Sequence, residues 1–184
     1  MKYRLIPVLL AGAVAFLSAV SFAAREREHT RPWRERVRVE QVLATEDGDF
    51  ILLLRTEEKP VLFLPIVVGE VEALGLKMRL DHLRPPRPLT LNLLESVLEA
   101  SDIEVTEVSI GSSGGHVVTG RIRLAHDGHS WELDSRPSDA VGLAMGRGLP
   151  VWASRELLDQ AGIDPRTLEP KRGEQVPSSH EGTL

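Results

Sequence analysis

The chain has 184 residues and no cysteine, with 42% hydrophobic residues, 27% charged residues and a formal charge of −5. This composition fits one globular domain with its own core, and the lack of cysteine excludes disulfide staples and a lipidated cysteine. The acidic balance argues against a broad basic surface for nucleic acid, because non-specific affinity comes mainly from neutralised phosphates. A small phosphodiester site with a local cation remains compatible with this charge.

Residues 1–23 have the pattern of a secretory signal peptide. Lys2 and Arg4 precede an almost wholly apolar run over residues 5–20, and small residues suited to a signal peptidase end at Ala23. We expect cleavage there, export to the periplasm or outside the cell, a mature charge near −7, and no stable membrane association afterwards. The alternative is an uncleaved N-terminal membrane anchor, because about 20 apolar residues are just long enough to span a bilayer.

The first half of the mature chain predicts three strands after a spacer. Residues 24–35 are charged, mixed in sign and without an apolar period, which is typical of a flexible spacer. Alternation predicts a strand over residues 37–44, and an Asp-Gly turn leads to an apolar strand over residues 50–55. A third strand over residues 61–67 contains a proline, which predicts an edge position.

Two helices follow, over residues 69–80 and 90–100. One face of each is apolar and is predicted to be buried; the two faces comprise Val71, Leu74 and Met78 in the first helix, and Leu91, Leu94, Val97 and Leu98 in the second. Thr90 stands where an N-cap is expected.

The loop between these helices, residues 81–88 (DHLRPPRP), is stiffened by three prolines. Arg84 and Arg87 lie in it, close to two basic residues that end the preceding helix, and form the densest basic patch of the folded region. We expect a phosphate backbone to lie here. The structural alternative is that Arg87 binds backbone carbonyls of the following helix.

The next part predicts a meander of strands. Strands over residues 103–110 and 116–125 are joined by GSSGG at residues 111–115, which is interpreted as a hairpin connection because the helix and lysine of a P-loop are missing. A second tight turn leads to a short run that ends at Leu133.

The stretch LDSRPSDA, residues 133–140, then concentrates polar groups at a strand-to-helix turn. It holds five of them: Asp134, Ser135, Arg136, Ser138 and Asp139. Free backbone N–H groups at a helix start attract anions, and functional groups often sit on such turns. The structural alternative is that a serine caps the helix and that Arg136 pairs with Asp134 or Asp139.

A short strand over residues 149–153, a helix over residues 155–161 and a disordered tail over residues 165–184 complete the chain. Strands and helices come in separate runs, which predicts an α+β fold: a single domain with a mixed or antiparallel sheet and helices packed on it.

Three blocks carry a resemblance to the bifunctional nuclease (BFN) domain family: LPIVVG at residues 64–69, PRPLT at residues 86–90, and LDSRPSDA. Their order and spacing are similar to the family pattern, which also has a glutamate where Glu72 stands. The resemblance implies a BFN domain over residues 36–164 and nuclease activity on RNA or DNA. The chain departs from the pattern at Leu91-Asn92, where family members have His-Asp. If that pair is catalytic in the family, this protein is impaired.

Two hypotheses follow. In the first, the protein is an exported nuclease whose catalytic residues are Asp134, Arg136, Asp139 and Glu72, with Asp134 and Asp139 as ligands of Mg²⁺ or Mn²⁺. Its substrate-binding residues would be Arg87, Arg84, Ser135, Ser138 and Thr90. In the second, the same scaffold is a catalytically impaired binding or assembly module, and LDSRPSDA is structural. The chain could also form a homo-oligomer.

Overall fold

Seven strands form one mixed sheet, in the order β3-β2-β1-β7-β4-β5-β6. The strands are β1 (Arg34–Ala44), β2 (Phe50–Thr56), β3 (Phe63–Val68), β4 (Glu104–Ser113), β5 (Val117–His126), β6 (His129–Ser135) and β7 (Val151–Ser154). β4 and β7 pair in parallel, and the other neighbours pair antiparallel. This computed structural model describes residues 33–113 and 117–167, so the signal segment and most of the tail lie outside it.

Four helices accompany the sheet: α1 (Glu70–Leu80), α2 (Thr90–Ala100), α3 (Pro137–Arg147) and α4 (Arg155–Ala161). The buried strand residues share one face, because the register aligns Val37 with Val151, Val151 with Val108, and Val108 with Ile122. α1, α3 and α4 contact the sheet, and α2 packs on α3. The α+β fold predicted from the order of elements is therefore confirmed, and β3 lies at an edge as its proline predicted.

Around β4, β5 and β6 the opposite face of the sheet is polar and carries a network of ion pairs, whereas on β2 and β3 it presents Ile51, Leu53, Pro65 and Val67. Glu107 lies 2.7 Å from Arg34 and 3.4 Å from Arg123, and Arg123 also pairs with Glu132 at 3.4 Å. The Arg34 guanidinium lies 4.6 Å from the centre of the Trp152 ring. One sheet face is thus covered by helices, and the other carries paired charges around β4, β5 and β6.

The predicted spacer and tail are each too long where the structure describes them. β1 already begins at Arg34, because β7 from the far end of the chain pairs Ala153 with Glu35. Residues 165–167 form a 3₁₀ turn in which Arg166 pairs with Asp164. The GSSGG loop is shorter than predicted, since β4 continues to Ser113 and pairs it with Val117. A local pattern could not show these pairings.

The predicted buried face of α1 is wrong. Val71 and Leu74 are 79% and 59% exposed, and the helix buries Leu76 together with Ala73, which lies beside the predicted face. In α2 only Leu98 of the predicted face is buried. The helices dock through other residues, which leaves apolar side chains on the outside. Thr90 is also not an N-cap: Leu89 holds that position, and its N–H donates to Asn92 Oδ1 at 3.1 Å.

Candidate functional site

A cleft of about 430 Å³ opens between α1, the loop over residues 81–89, the start of α2 and the start of α3. Much of its wall is apolar: Val71, Leu74, Met78, Leu83, Pro85, Pro88, Leu89 and Leu91. The polar side chains that line it are Glu72, Arg79, Thr90, Asn92, Arg136, Ser138 and Asp139. The side chains predicted as the core face of α1 therefore form a wall of this cleft.

Arg136 lies between two carboxylates that come from different helices. Its Nε and Nη2 donate to Asp139 at 2.7 and 3.1 Å, and its Nη1 lies 2.7 Å from Glu72 Oε1. Arg136 is the N-cap of α3, so Asp139 stands one helical turn away on the same strand-to-helix junction. A guanidinium has five N–H donors, so two remain, and its side chain is 63% exposed. The group can still bind an anion.

Glu72 lies in the first turn of α1, whose N-cap is Gly69. The Glu72 carboxylate folds back over Gly69, where any Cβ would collide with it. A hydrogen bond from its own backbone N–H, together with the Arg136 hydrogen bond, lowers the pKa of Glu72 below its ordinary value. Hydrogen bonds to Asp139 and then Glu72 raise the pKa of Arg136. The carboxylate is ionised and the guanidinium charged at neutral pH. Lys77 and Arg79, the basic residues at the end of the same helix, pair with Asp81 and Glu95 instead of Glu72.

Asp134 does not belong to this cluster. It aligns with Arg121 on β5, so it lies on the polar sheet face, while the next residue, Ser135, aligns with buried Gly120 on the helix-covered face. The structure therefore separates Asp134 from Asp139, and the pair predicted to share a metal ion does not share a face. Ser135 Oγ is buried beneath the turn and makes no hydrogen bond within the described part of the chain.

Of the other predicted substrate-binding residues, two line the cleft and two lie outside its lining. Ser138 is buried and lines the cleft, and Thr90 lines it at the surface. Arg84 and Arg87 are exposed on the loop at the rim, outside the lining itself. Neither arginine has an ion pair or hydrogen bond within the described residues, so the structure does not show Arg87 binding the carbonyls of α2.

Leu91 and Asn92 both line the cleft and both have structural contacts. Asn92 caps α2 through the Leu89 N–H. Leu91 packs on α3 at Gly142, where a Cβ would stand 2.5 Å from the Leu91 methyl. Gly142 thus allows close packing of α3 against α2. At this pair of positions, the cleft has an apolar side chain and a helix cap in place of an acid or base.

The Arg136 guanidinium already occupies the carboxylates that a Mg²⁺ or Mn²⁺ ion would use in the cleft. Mg²⁺ is usually held by one or two carboxylates together with waters and substrate phosphates. Within residues 33–113 and 117–167, no three metal-ligating side chains converge. Glu72 and Asp139 also hold a guanidinium between them, where a cation would meet its positive charge. The chemistry below is therefore derived from the side chains alone.

Gly120 supports the turn that carries Arg136. A Cβ there would stand 2.7 Å from Ala140 Cβ, 2.7 Å from Ser135 Oγ and 2.8 Å from the Arg136 carbonyl oxygen. Because backbone must move, we expect Gly120→Ala to lower the free energy of unfolding by about 1–3 kcal/mol, measured by urea denaturation. The matched control is Gly111→Ala, whose nearest neighbour would lie at 3.5 Å. Equal stability of the two variants would contradict this packing.

The Glu72 ion pair predicts a pH dependence of stability. Its pKa is lower in the folded than in the unfolded state, so the pair stabilises the fold above the unfolded value of about 4.3. That contribution is lost as the pH falls through the folded pKa. Glu72→Gln should have a lower Tm than wild type at neutral pH, and the two Tm values should converge in acid. Glu46→Gln, at an exposed turn, is the control and should parallel wild type throughout. A Tm difference between Glu72→Gln and wild type that stays the same at every pH would contradict this coupling of ionisation to stability.

The structure is an α+β domain whose sheet is covered by helices on one face. Its cleft lies at the ends of the helices and has Arg136 at its centre. The chain belongs to the bifunctional nuclease domain family, whose sequence model matches residues 52–166. This match spans β2 to the final 3₁₀ turn and includes every residue that lines the cleft.

Individual relatives are similar at modest identity. An uncharacterized protein of Mycobacterium tuberculosis is 28% identical over 118 residues, which cover 61% of this chain and 66% of that protein. Bifunctional nuclease 1 of Oryza sativa subsp. indica is 29% identical over 133 residues, which cover 71% of this chain and 40% of the rice protein. Bifunctional nuclease 2 of Oryza sativa subsp. japonica is 26% identical over 136 residues, covering 72% of this chain and 41% of the relative. The match thus covers just under two thirds of the mycobacterial protein and about two fifths of the rice proteins.

Proposed function

We propose that this protein is an exported nuclease that hydrolyses phosphodiester bonds in RNA or DNA. Membership of the bifunctional nuclease domain family and the names of the rice relatives support this class of reaction. The observation that carries the proposal is the Arg136 guanidinium, which is open to the cleft with two donors unused.

In the proposed reaction, Arg136 binds a non-bridging phosphate oxygen of the scissile bond. Two adjacent N–H donors match phosphate geometry, and the fixed charge stabilises the negative charge that grows in the transition state. Asp139 binds the guanidinium through both of its oxygens and orients it before substrate arrives. Asp139 is therefore a positioning residue in this proposal.

Glu72 is the proposed proton acceptor. Its carboxylate is ionised and lines the cleft beside Arg136, so it can take the proton of a water whose oxygen bonds to phosphorus while the P–O bond to the leaving oxygen breaks; the leaving oxygen then takes a proton from solvent. The lowered pKa makes it a weak base, which predicts a modest rate. Asp134 has no part in this reaction, because it lies on the opposite face of the sheet.

The rim and wall of the cleft would hold the rest of the substrate. Arg84 follows Leu83 and precedes Pro85, which both line the cleft, and it can bind a flanking phosphate. Thr90 and Ser138 offer hydroxyl groups in the lining. The apolar wall gives a surface for the flat face of a base or the edge of a sugar. The cationic rim is local and the net charge of the chain is acidic, so we expect weak, salt-sensitive binding.

Export is part of the proposal and depends on residues 1–23, which lie outside the described part. An uncleaved N-terminal anchor is the alternative. Within the described residues, no helix is both long and apolar enough to cross a membrane. N-terminal sequencing of the protein recovered from cells would separate the two, because cleavage predicts a new terminus at Ala24.

The test is a fluorogenic cleavage assay with RNA and single-stranded DNA on the mature form, residues 24–184. Wild type and Asp139→Ala would be compared in Mg²⁺, Mn²⁺ and EDTA, with folding checked by circular dichroism. We expect cleavage that persists in EDTA and falls in Asp139→Ala. Cleavage that is abolished by EDTA would show that the reaction requires a metal ion. Equal rates in both proteins would place the activity at another site or in a contaminant.

A non-catalytic binding module is the second candidate. It is favoured by Leu91 and Asn92, which pack and cap where an acid or base would be expected, and by the neutralisation of Arg136 by two carboxylates. No cleavage under any condition, with nucleic-acid binding retained, would select this candidate.

A further inference from the structure

Asn92 has a second hydrogen-bonding group that no contact in the described chain uses. Its Oδ1 atom accepts the Leu89 N–H at 3.1 Å, so the amide cannot turn over without leaving that N–H unpaired. The Nδ2 group on the other side of the amide has two N–H donors, is open to solvent, and has no partner within residues 33–113 and 117–167. Because Asn92 lines the cleft, the helix cap holds a free donor at the cleft wall.

Asn92 lies close enough to Arg136 for one nucleotide to contact both side chains. Leu91, the residue before Asn92, packs on α3 at Gly142. Gly142 follows Asp139 by three residues, which is about 4.5 Å along the helix axis. Asn92, Asp139 and Arg136 all line the same cleft of about 430 Å³. A phosphate held by Arg136 would therefore place its nucleoside beside the Asn92 amide.

The charges of the cleft favour a neutral donor at this position. Glu72 and Asp139 share the guanidinium of Arg136, so carboxylates outnumber the cation there before a phosphate arrives. Arg79 also lines the cleft, but it pairs with Glu95 at 2.9 Å. A carboxylate at position 92 would add to the negative charge, whereas an amide donates a hydrogen bond without adding any charge.

We infer that Asn92 is a substrate-binding residue whose amide donates a hydrogen bond to an oxygen of the nucleoside attached to the phosphate at Arg136. The acceptor is a carbonyl oxygen of the base or a hydroxyl oxygen of the sugar. The inference rests on the proposed function, because it takes the cleft to hold a nucleotide. The nucleoside oxygen gains no charge during hydrolysis, so this bond lowers KM and leaves kcat nearly unchanged.

Asn92→Asp separates the substrate contact from the helix cap. Aspartate keeps an oxygen for the Leu89 N–H and is favourable near a helix start, so the urea midpoint at neutral pH should match wild type. The variant loses the Nδ2 donors and adds a negative charge, so KM should rise about 10–100-fold while kcat stays within about twofold. Ser96→Asp is the matched control, because it adds the same charge one turn further along α2, outside the lining. Its KM should stay near wild type.

The Asn92 side-chain NH₂ signals test the contact without any cleavage. Asn92 is the only asparagine in the chain, so its pair of signals is the one that disappears from the nitrogen–proton correlation NMR spectrum of Asn92→Asp. Saturating uridine 5′-monophosphate should shift this pair in residues 24–184. A shift that ribose 5-phosphate reproduces would assign the acceptor to the sugar, and a shift that requires the uridine compound would assign it to the base.

The failure of this inference differs from the failure of the proposed nuclease. Cleavage by Asn92→Asp with the KM of wild type would overturn the inference and leave the nuclease standing. So would an NH₂ pair that saturating nucleotide leaves unmoved. Absence of cleavage, with the pair still shifted by the nucleotide, would overturn the nuclease and leave the contact standing.

Discussion

Replacing Arg136 with alanine is expected to lower kcat/KM for phosphodiester cleavage roughly 10²–10³-fold, the cost of removing a donor that stabilises transition-state charge. The guanidinium lies between Glu72 and Asp139, and it keeps two donors for substrate. Its loss also leaves two carboxylates facing the cleft, which repel phosphate. The measurement is a steady-state cleavage assay with wild type and variant at equal folded concentration.

Two further variants test whether the loss of activity is specific to the Arg136 side chain. Arg136→Lys keeps the charge but loses the planar pair of donors, so its activity should lie between wild type and Arg136→Ala. Arg121→Ala removes another exposed arginine, one that pairs with Glu132 on the opposite sheet face, and should cleave like wild type. If Arg136→Ala and Arg121→Ala cleave equally fast, the cleft is not the active site.

Glu35→Ala is expected to lower the free energy of unfolding by about 3–5 kcal/mol, because it leaves a largely buried guanidinium without its partner. Glu35 is 6% exposed and pairs with Arg155, whose side chain is 14% exposed. The remaining carboxylate near Arg155 is Asp159 at 3.8 Å, which is 59% exposed and a weak substitute. Urea denaturation followed by circular dichroism would measure the loss.

The control for Glu35→Ala is a variant that breaks an exposed ion pair on the same strand. Glu40→Ala breaks the pair with Arg38 and should cost at most about 1 kcal/mol, since exposed pairs contribute little. The double variant Glu35→Leu, Arg155→Met removes both charges, and it should recover most of the loss. A Glu35→Ala protein as stable as Glu40→Ala would show that the pair is open to water.

Local patterns predicted most elements of this fold. Alternation in β5 correctly separated Ile122 and Leu124 from Arg121 and Arg123, because a strand side chain has only two faces to choose from. The change from strand to helix was correctly predicted within residues 133–140, where α3 begins at Pro137. The helix faces were less predictable. Val71 and Leu74 have core-like spacing, yet that spacing is the same whether a helix lines a core or an open cleft.

The candidate site was also predictable only in part from local sequence patterns. The pairing of Arg136 with Asp139 follows from one strand-to-helix turn, and the sequence contained it as an alternative. Glu72 reaches the same guanidinium from a helix distant in the chain, and no local pattern predicted that contact. Asp134 looked equivalent to Asp139 in the sequence, but strand pleating puts it on the other face.

The sequence alone determined the family, the order of strands and helices, and the polar turn at residues 133–140, because each depends on residues close together in the chain. The tertiary structure decided which carboxylates meet Arg136, which apolar helix faces stay open, and that Glu35 is buried. The reason is physical: register and helix docking are set by packing between distant segments, and a one-residue change of position moves a side chain from one face to the other.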